Sequence, residues 1–157
     1  MSEVKKSRMK PRLGQLMTQK GGMYVAEALK RADATMETLR EPSLTGIDDY
    51  IAALDALLAS DLDDAARIEA LYARSSDIVS LSGAERNKAV QIAARSLCDL
   101  LDEADGLTPS VLAGVKVHVA SIKLLHRAPD NPTLHAPILQ GLASVLEKRR
   151  GEGKGQG

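Results

Sequence analysis

Residues 71–101 read LYARSSDIVSLSGAERNKAVQIAARSLCDLL, and the spacing of apolar side chains along them decides the fold class. Leu71, Ser75, Ile78 and Val79 recur at steps of three and four. After Gly83, Val90, Ala93, Ala94, Leu97, Leu100 and Leu101 do the same. Such steps put each set on one face of a helix with 3.6 residues per turn, and a short link makes two such helices neighbours. No strand-like alternation competes.

Outward from this pair the same period continues. Ile68 extends the first helix towards Asp61, Asp63 and Asp64, a cluster of acids suited to a helix N-terminus. Upstream, Ile47, Ile51, Leu54 and Leu58 form one stripe flanked by Tyr50 and Leu57, with Ser43 as the expected N-cap. Before that, Val25, Ala28, Leu29, Ala32, Met36 and Leu39 form another, and Glu41-Pro42 is expected to end it, because the residue before proline is pushed out of the α region. Downstream, Thr108-Pro109 and Asn131-Pro132 each place a capping side chain before a proline at the first helical position. The helices they open carry Val111, Val115, His118, Ile122 and Leu125, then Leu134, Ile138, Leu142 and Val145.

The expected architecture is all-α: six helices, packed as an antiparallel bundle with a four-helix core and additional helices. Residues 1–21 are expected to form a flexible basic arm, residues 22–150 a single helical-bundle domain, and residues 151–157 a disordered, glycine-rich tail.

Composition narrows the function. The chain has 157 residues, enough for one domain with a core, and formal net charge +0. With no Trp, no Phe and three tyrosines, it lacks the aromatic platform of a single-strand nucleic-acid binder. The arm holds Lys5, Lys6, Arg8, Lys10 and Arg12, but the segment from Glu41 to Asp105 is acidic and opposes nucleic-acid binding. No apolar run approaches the roughly 18 to 20 residues of a membrane span, and the arm's cations are not followed by a signal-type apolar core. A cytoplasmic protein without membrane contact is expected, and the lone Cys98 fits a reducing compartment.

Metal and cofactor motifs are absent. His118, His126 and His135 lack the i, i+4 pairing of a helical zinc site, Cys98 has no companion, and the acids Asp61, Asp63 and Asp64 lack the rest of a calcium loop. No phosphate-binding glycine loop occurs, so no cofactor is expected.

The quoted stretch also resembles the central helix pair of a histidine phosphotransfer (HPt) domain, in which a pattern near A-H-x-L-K-G is followed by one near L-x-x-L-C-x-x-L-E. The corresponding residues here are Ser75-Ser76-Asp77-Ile78-Val79-Ser80 and Leu97-Cys98-Asp99-Leu100-Leu101-Asp102. Ser76 stands where that family has its phosphorylated histidine, Val79 where it has lysine and Ser80 where it has glycine. A phosphoserine ester lacks the transfer potential of a phosphoramidate, so transfer through Ser76 is not expected. His118 is the one substitute phosphoacceptor, yet its spacing places it inside the stripe of Val111, Val115, Ile122 and Leu125.

More of the chain, from Arg12 to Leu146, is similar to a small bacterial family of chemotaxis gene clusters, labelled CheE-like. The similarity rests on Arg12-Leu13-Gly14-Gln15-Leu16-Met17, Gly21-Gly22, Leu39-Arg40-Glu41-Pro42, Ser96-Leu97-Cys98-Asp99-Leu100-Leu101, and Val117-His118 with Leu124-Leu125. Together the two resemblances imply a non-catalytic signalling adaptor of a two-component or chemotaxis pathway. Its partner would be a response-regulator receiver domain or a histidine kinase. Partner contacts are expected at Ser76, Val79 and Ser80 and at the arm's apolar cluster Leu13, Leu16 and Met17. The alternatives are active phosphotransfer through His118, or a structural protein that forms a homodimer through its helix faces.

Overall fold

A computed structural model describes residues 24–82 and 87–154. Leu13, Leu16 and Met17 of the arm, the Gly83 helix break and the end of the tail lie outside the described residues. Within them the chain forms five helices and no strand: α1 (Val25–Leu58), α2 (Asp64–Leu81), α3 (Lys88–Asp102), α4 (Pro109–Arg127) and α5 (Pro132–Lys154).

Two of the six expected helices are therefore one. Pro42 lies inside α1, and Ser43 is an interior residue instead of an N-cap. An interior proline removes one backbone hydrogen bond and crowds the preceding turn, at a cost of about 3 kcal/mol. Here the helix continues past it into a face that buries Ile47, Ile51 and Leu54. Threonine hydroxyls donate back to main-chain carbonyls on both sides of the proline, Thr38 to Thr35 and Thr45 to Glu41.

The chain divides into two units, residues 1–39 and 40–157. In the first unit every residue from Tyr24 to Leu39 is exposed, including the expected stripe. The second unit holds the core. α3 packs against α2, α4 and α5, and α4 also packs against α5. α2 and α3 run antiparallel. Asp64 at the start of α2 accepts a hydrogen bond from the Leu107 amide beyond the end of α3, at 3.1 Å, while Gln91 near the start of α3 donates to the Val79 carbonyl near the end of α2. An antiparallel helical bundle is the fold.

The helix starts follow local chemistry. Asp63 caps α2, its carboxylate accepting from the Ala66 amide at 2.9 Å, and Thr108 caps α4 by accepting from the Val111 amide at 3.3 Å. At α5, Pro132 is the first helical residue, but the Asn131 side-chain oxygen accepts from the Thr133 hydroxyl at 2.7 Å. α5 also runs past Arg150 to Lys154, where a disordered tail was expected; Gly151 and Gly153 weaken a helix without blocking its hydrogen bonds as proline would.

Leu97, Leu100, Leu101, Ile122 and Leu125 are the buried centre, joined by Leu71 and Ile78 of α2 and Leu142 of α5. Small residues allow close approach at two crossings. A Cβ on Gly114 would meet the Leu100 side chain at 3.0 Å, and one on Gly46 would meet Leu81 at 2.7 Å.

Candidate functional site

Three places bear on function: the outer face of α2, the buried histidine of α4, and the tethers that join α1 to α4.

On α2 the helical period that turns Leu71, Ser75 and Ile78 inward turns Tyr72, Ser76 and Ser80 outward. Ser76 and Ser80 are exposed, Val79 is half-buried, and Tyr72 is 38% exposed. Ser80 donates its hydroxyl to the Ser76 carbonyl at 3.0 Å. Beside this face Arg74 pairs with Asp77 at 3.1 Å, and its guanidinium lies 5.3 Å from the centre of the Tyr50 ring of α1. The face thus offers hydroxyls and one aromatic ring on a rigid helix, and no imidazole.

His118 is the opposite case, with none of its surface exposed. Its Nδ1 lies 2.8 Å from the Gly114 carbonyl oxygen, one helical turn back, and its Nε2 lies 2.9 Å from the Ser96 hydroxyl of α3. A carbonyl can only accept, so Nδ1 carries the proton and Nε2 receives the Ser96 hydroxyl hydrogen. Burial holds the imidazole below its ordinary pKa, and the Gly114 carbonyl opposes that shift only in part. Both nitrogens are engaged and the ring is neutral. A phosphoacceptor needs a nitrogen open to in-line attack, which this ring does not offer. Serine next to histidine invites comparison with a nucleophile and its base. Here the imidazole has a backbone carbonyl behind it instead of a carboxylate, and the pair lies between two packed helices.

Cys98, also on α3, is buried, and its thiol is pushed up to about 11, first by burial and then by the carboxylates of Asp99 and Asp102. That suppresses the thiolate needed for nucleophilic or metal chemistry. No group of three or more His, Cys, Asp or Glu side chains among the described residues is arranged to hold a metal ion.

The other two histidines serve packing. His126 Nε2 lies 3.0 Å from an Asp48 carboxylate oxygen, linking the last turn of α4 to α1, and His135 Nε2 lies 2.8 Å from the Ala128 carbonyl just past α4. Lys123 of α4 pairs with Asp55 of α1. At the far end of α3, Arg150 pairs with Glu103 at 2.7 Å and holds its carboxyl below the usual range.

Sequence spacing placed His118 in the core stripe and Ser76 on a flank, as the structure has them. It could not find Ser96 as the partner of His118, or Asp48 and Asp55 as tethers of α4, because those partners lie 22, 78 and 68 residues apart in the chain. The only signal available was the surplus of acids on residues 41–64, which spacing alone reads as a solvated face.

Fold and site together define a helical bundle in which His118 and Cys98 are buried and Ser76 and Ser80 are exposed. Comparisons with protein-family models, with curated proteins and with solved structures find no match to this chain. No helix among the described residues is long and apolar enough to cross a membrane.

Proposed function

We propose that the chain is a non-catalytic helical adaptor that binds a response-regulator receiver domain or a histidine kinase through the outer face of α2. The observation that carries the non-catalytic reading is the inversion of the two candidate positions. Ser76, which cannot form a phosphoramidate, is exposed, and His118, which can, is buried with both ring nitrogens hydrogen-bonded. The choice of partner is supported by the HPt resemblance of residues 71–101, whose α2 and α3 form an antiparallel pair with Tyr72, Ser76 and Ser80 facing outward. A receiver that changes shape on phosphorylation would bind with two affinities, and the adaptor would favour the better-bound state.

The test is a binding assay of the full chain against a panel of receiver domains and kinases, each with and without phosphoryl groups. Binding to at least one is expected, and Ser76→Arg should weaken it at least about tenfold, the effect of about 1.4 kcal/mol. No binding in either phosphorylation state would refute the proposal. An acid-labile, base-stable label on His118 would refute its non-catalytic part.

A further inference from the structure

Helix α5 is held to the bundle more lightly than the helices it lies on. α3 and α4 bury eight and seven residues, whereas among the described residues of α5 only Leu142 and Leu146 are buried. Leu134, Ile138, Leu139 and Val145 are half-buried. The backbone of α5 is weaker as well. Pro137 lies inside the helix and removes one main-chain hydrogen bond. A Cβ on Gly141 would meet nothing within 4 Å, so that glycine weakens the helix without serving a close approach. Few buried apolar contacts on a poor helix mark a segment that opens before the rest of a fold.

The contacts of α5 show what it lies over. Near its start, His135 Nε2 is 2.8 Å from the Ala128 carbonyl just past α4. Further on, the Val145 side chain lies 3.5 Å from where a Cβ on Gly114 would stand. Towards its end, Arg150 pairs with Glu103 just past α3, and Arg149 donates to the Glu103 carbonyl at 3.2 Å. As α5 advances from 135 to 145 it therefore runs back along α4 from 128 to 114, which takes Ile138 to Leu142 across the turns between. His118 belongs to those turns, and the carbonyl that engages its Nδ1 is that of Gly114. The tie at the far end is open to water, which competes for it.

We propose that α5 is a detachable cover. It lifts from the α3–α4 seam while α2, α3 and α4 stay folded, and the lifted form opens the Ser96–His118 pair to solvent. The polar pair suits such a place, because water replaces its hydrogen bond on opening as it cannot replace apolar packing. The closed form is the one described above, with both ring nitrogens engaged; the open form presents Nε2 to reagents. α5 thus sets how much of the protein shows a reactive imidazole. The adaptor reading rests on the outer face of α2 and its binding assay is independent of this one.

Amide hydrogen exchange on the full chain gives the first measurement. The most protected amides of α5, around Leu142 to Leu146, should exchange at least about tenfold faster than those of α3, around Leu97 to Leu101. Equal protection would mean that α5 leaves only when the whole bundle unfolds, and would overturn the proposal. The second measurement is acylation of His118 by diethyl pyrocarbonate, followed by peptide mapping. Its protection, relative to a histidine in a short unfolded peptide, should match that of the α5 amides. Protection as high as that of α3 would reduce the fast exchange of α5 to fraying and would sink the idea equally. Gly141→Ala strengthens α5 at a position with room for the methyl group. It should slow α5 exchange and His118 acylation by one common factor, up to about fivefold. A slowed α5 with unchanged acylation would show that His118 opens by another route, and the cover would be disproved.

Discussion

The first half of α1 and the whole of α3 are built to the same helical period, yet they meet opposite fates. Along α3, Val90, Ala93, Ala94, Leu97, Leu100 and Leu101 are all 2% exposed or less. Along Tyr24–Leu39 no residue is buried. Both segments show helical spacing of apolar residues, and both alternate large with small. They differ in neighbours: α3 has α2, α4 and α5 against it. Periodicity therefore reports which face is available for burial, and topology decides whether that face is used.

The largest expected effect separates the two regions directly. Leu97→Ala should lower the stability of the bundle by about 2–5 kcal/mol, because a fully buried leucine leaves a cavity between packed helices. Leu29→Ala should shift the bundle's main unfolding transition by less than about 0.5 kcal/mol. Chemical denaturation followed by circular dichroism measures both, and similar losses would erase the distinction.

Next in size is the polar contact inside the α3–α4 seam. Ser96→Ala removes the donor to His118 Nε2 and leaves a buried acceptor unsatisfied, at about 1–3 kcal/mol by denaturation. The same imidazole makes stability depend on pH. Burial lowers its folded pKa below the ordinary value of 6.5, so near that pH the unfolded chain binds more protons than the folded one. The contribution of neutral His118 is present in full above the unfolded value and declines as pH falls through 6.5 towards the folded pKa. A series of unfolding curves across that interval should show the decline, and His118→Gln should flatten it. No comparable slope is expected from α1's first half, which contains no histidine.

Smaller effects sharpen the same contrast at helix ends and surfaces. Asp63→Ala should cost about 1 kcal/mol by removing the cap on the Ala66 amide. Asp55→Ala should cost no more than about 1 kcal/mol, since its pair with Lys123 is largely open to solvent. A much larger loss at Asp55 would mean that α1 depends on that tether more than on Ile47, Ile51 and Leu54.

Much of the bundle was legible from local chemistry, and its misreadings have definite causes. Asp63 and Thr108 announced their helices because capping is decided within four residues. The stripe Val111, Val115, His118, Ile122 and Leu125 announced its buried face because each member points the same way. Pro42 misled because a proline penalises a helix interior without forbidding it, and α1 runs through. Ser96 was unreadable as the partner of His118 because the pair exists only once α3 and α4 cross.

By itself the sequence determined the helices of the bundle, most of their boundaries and the faces they turn inward, since these follow from backbone geometry and side-chain spacing along one chain. Tertiary structure decided what those faces meet. It covered α3 on several sides, engaged both nitrogens of His118, and left Ser76 and the ridge from Val25 to Leu39 exposed. Contacts between residues far apart in the chain depend on helix crossings, and periodicity within one helix carries no information about them.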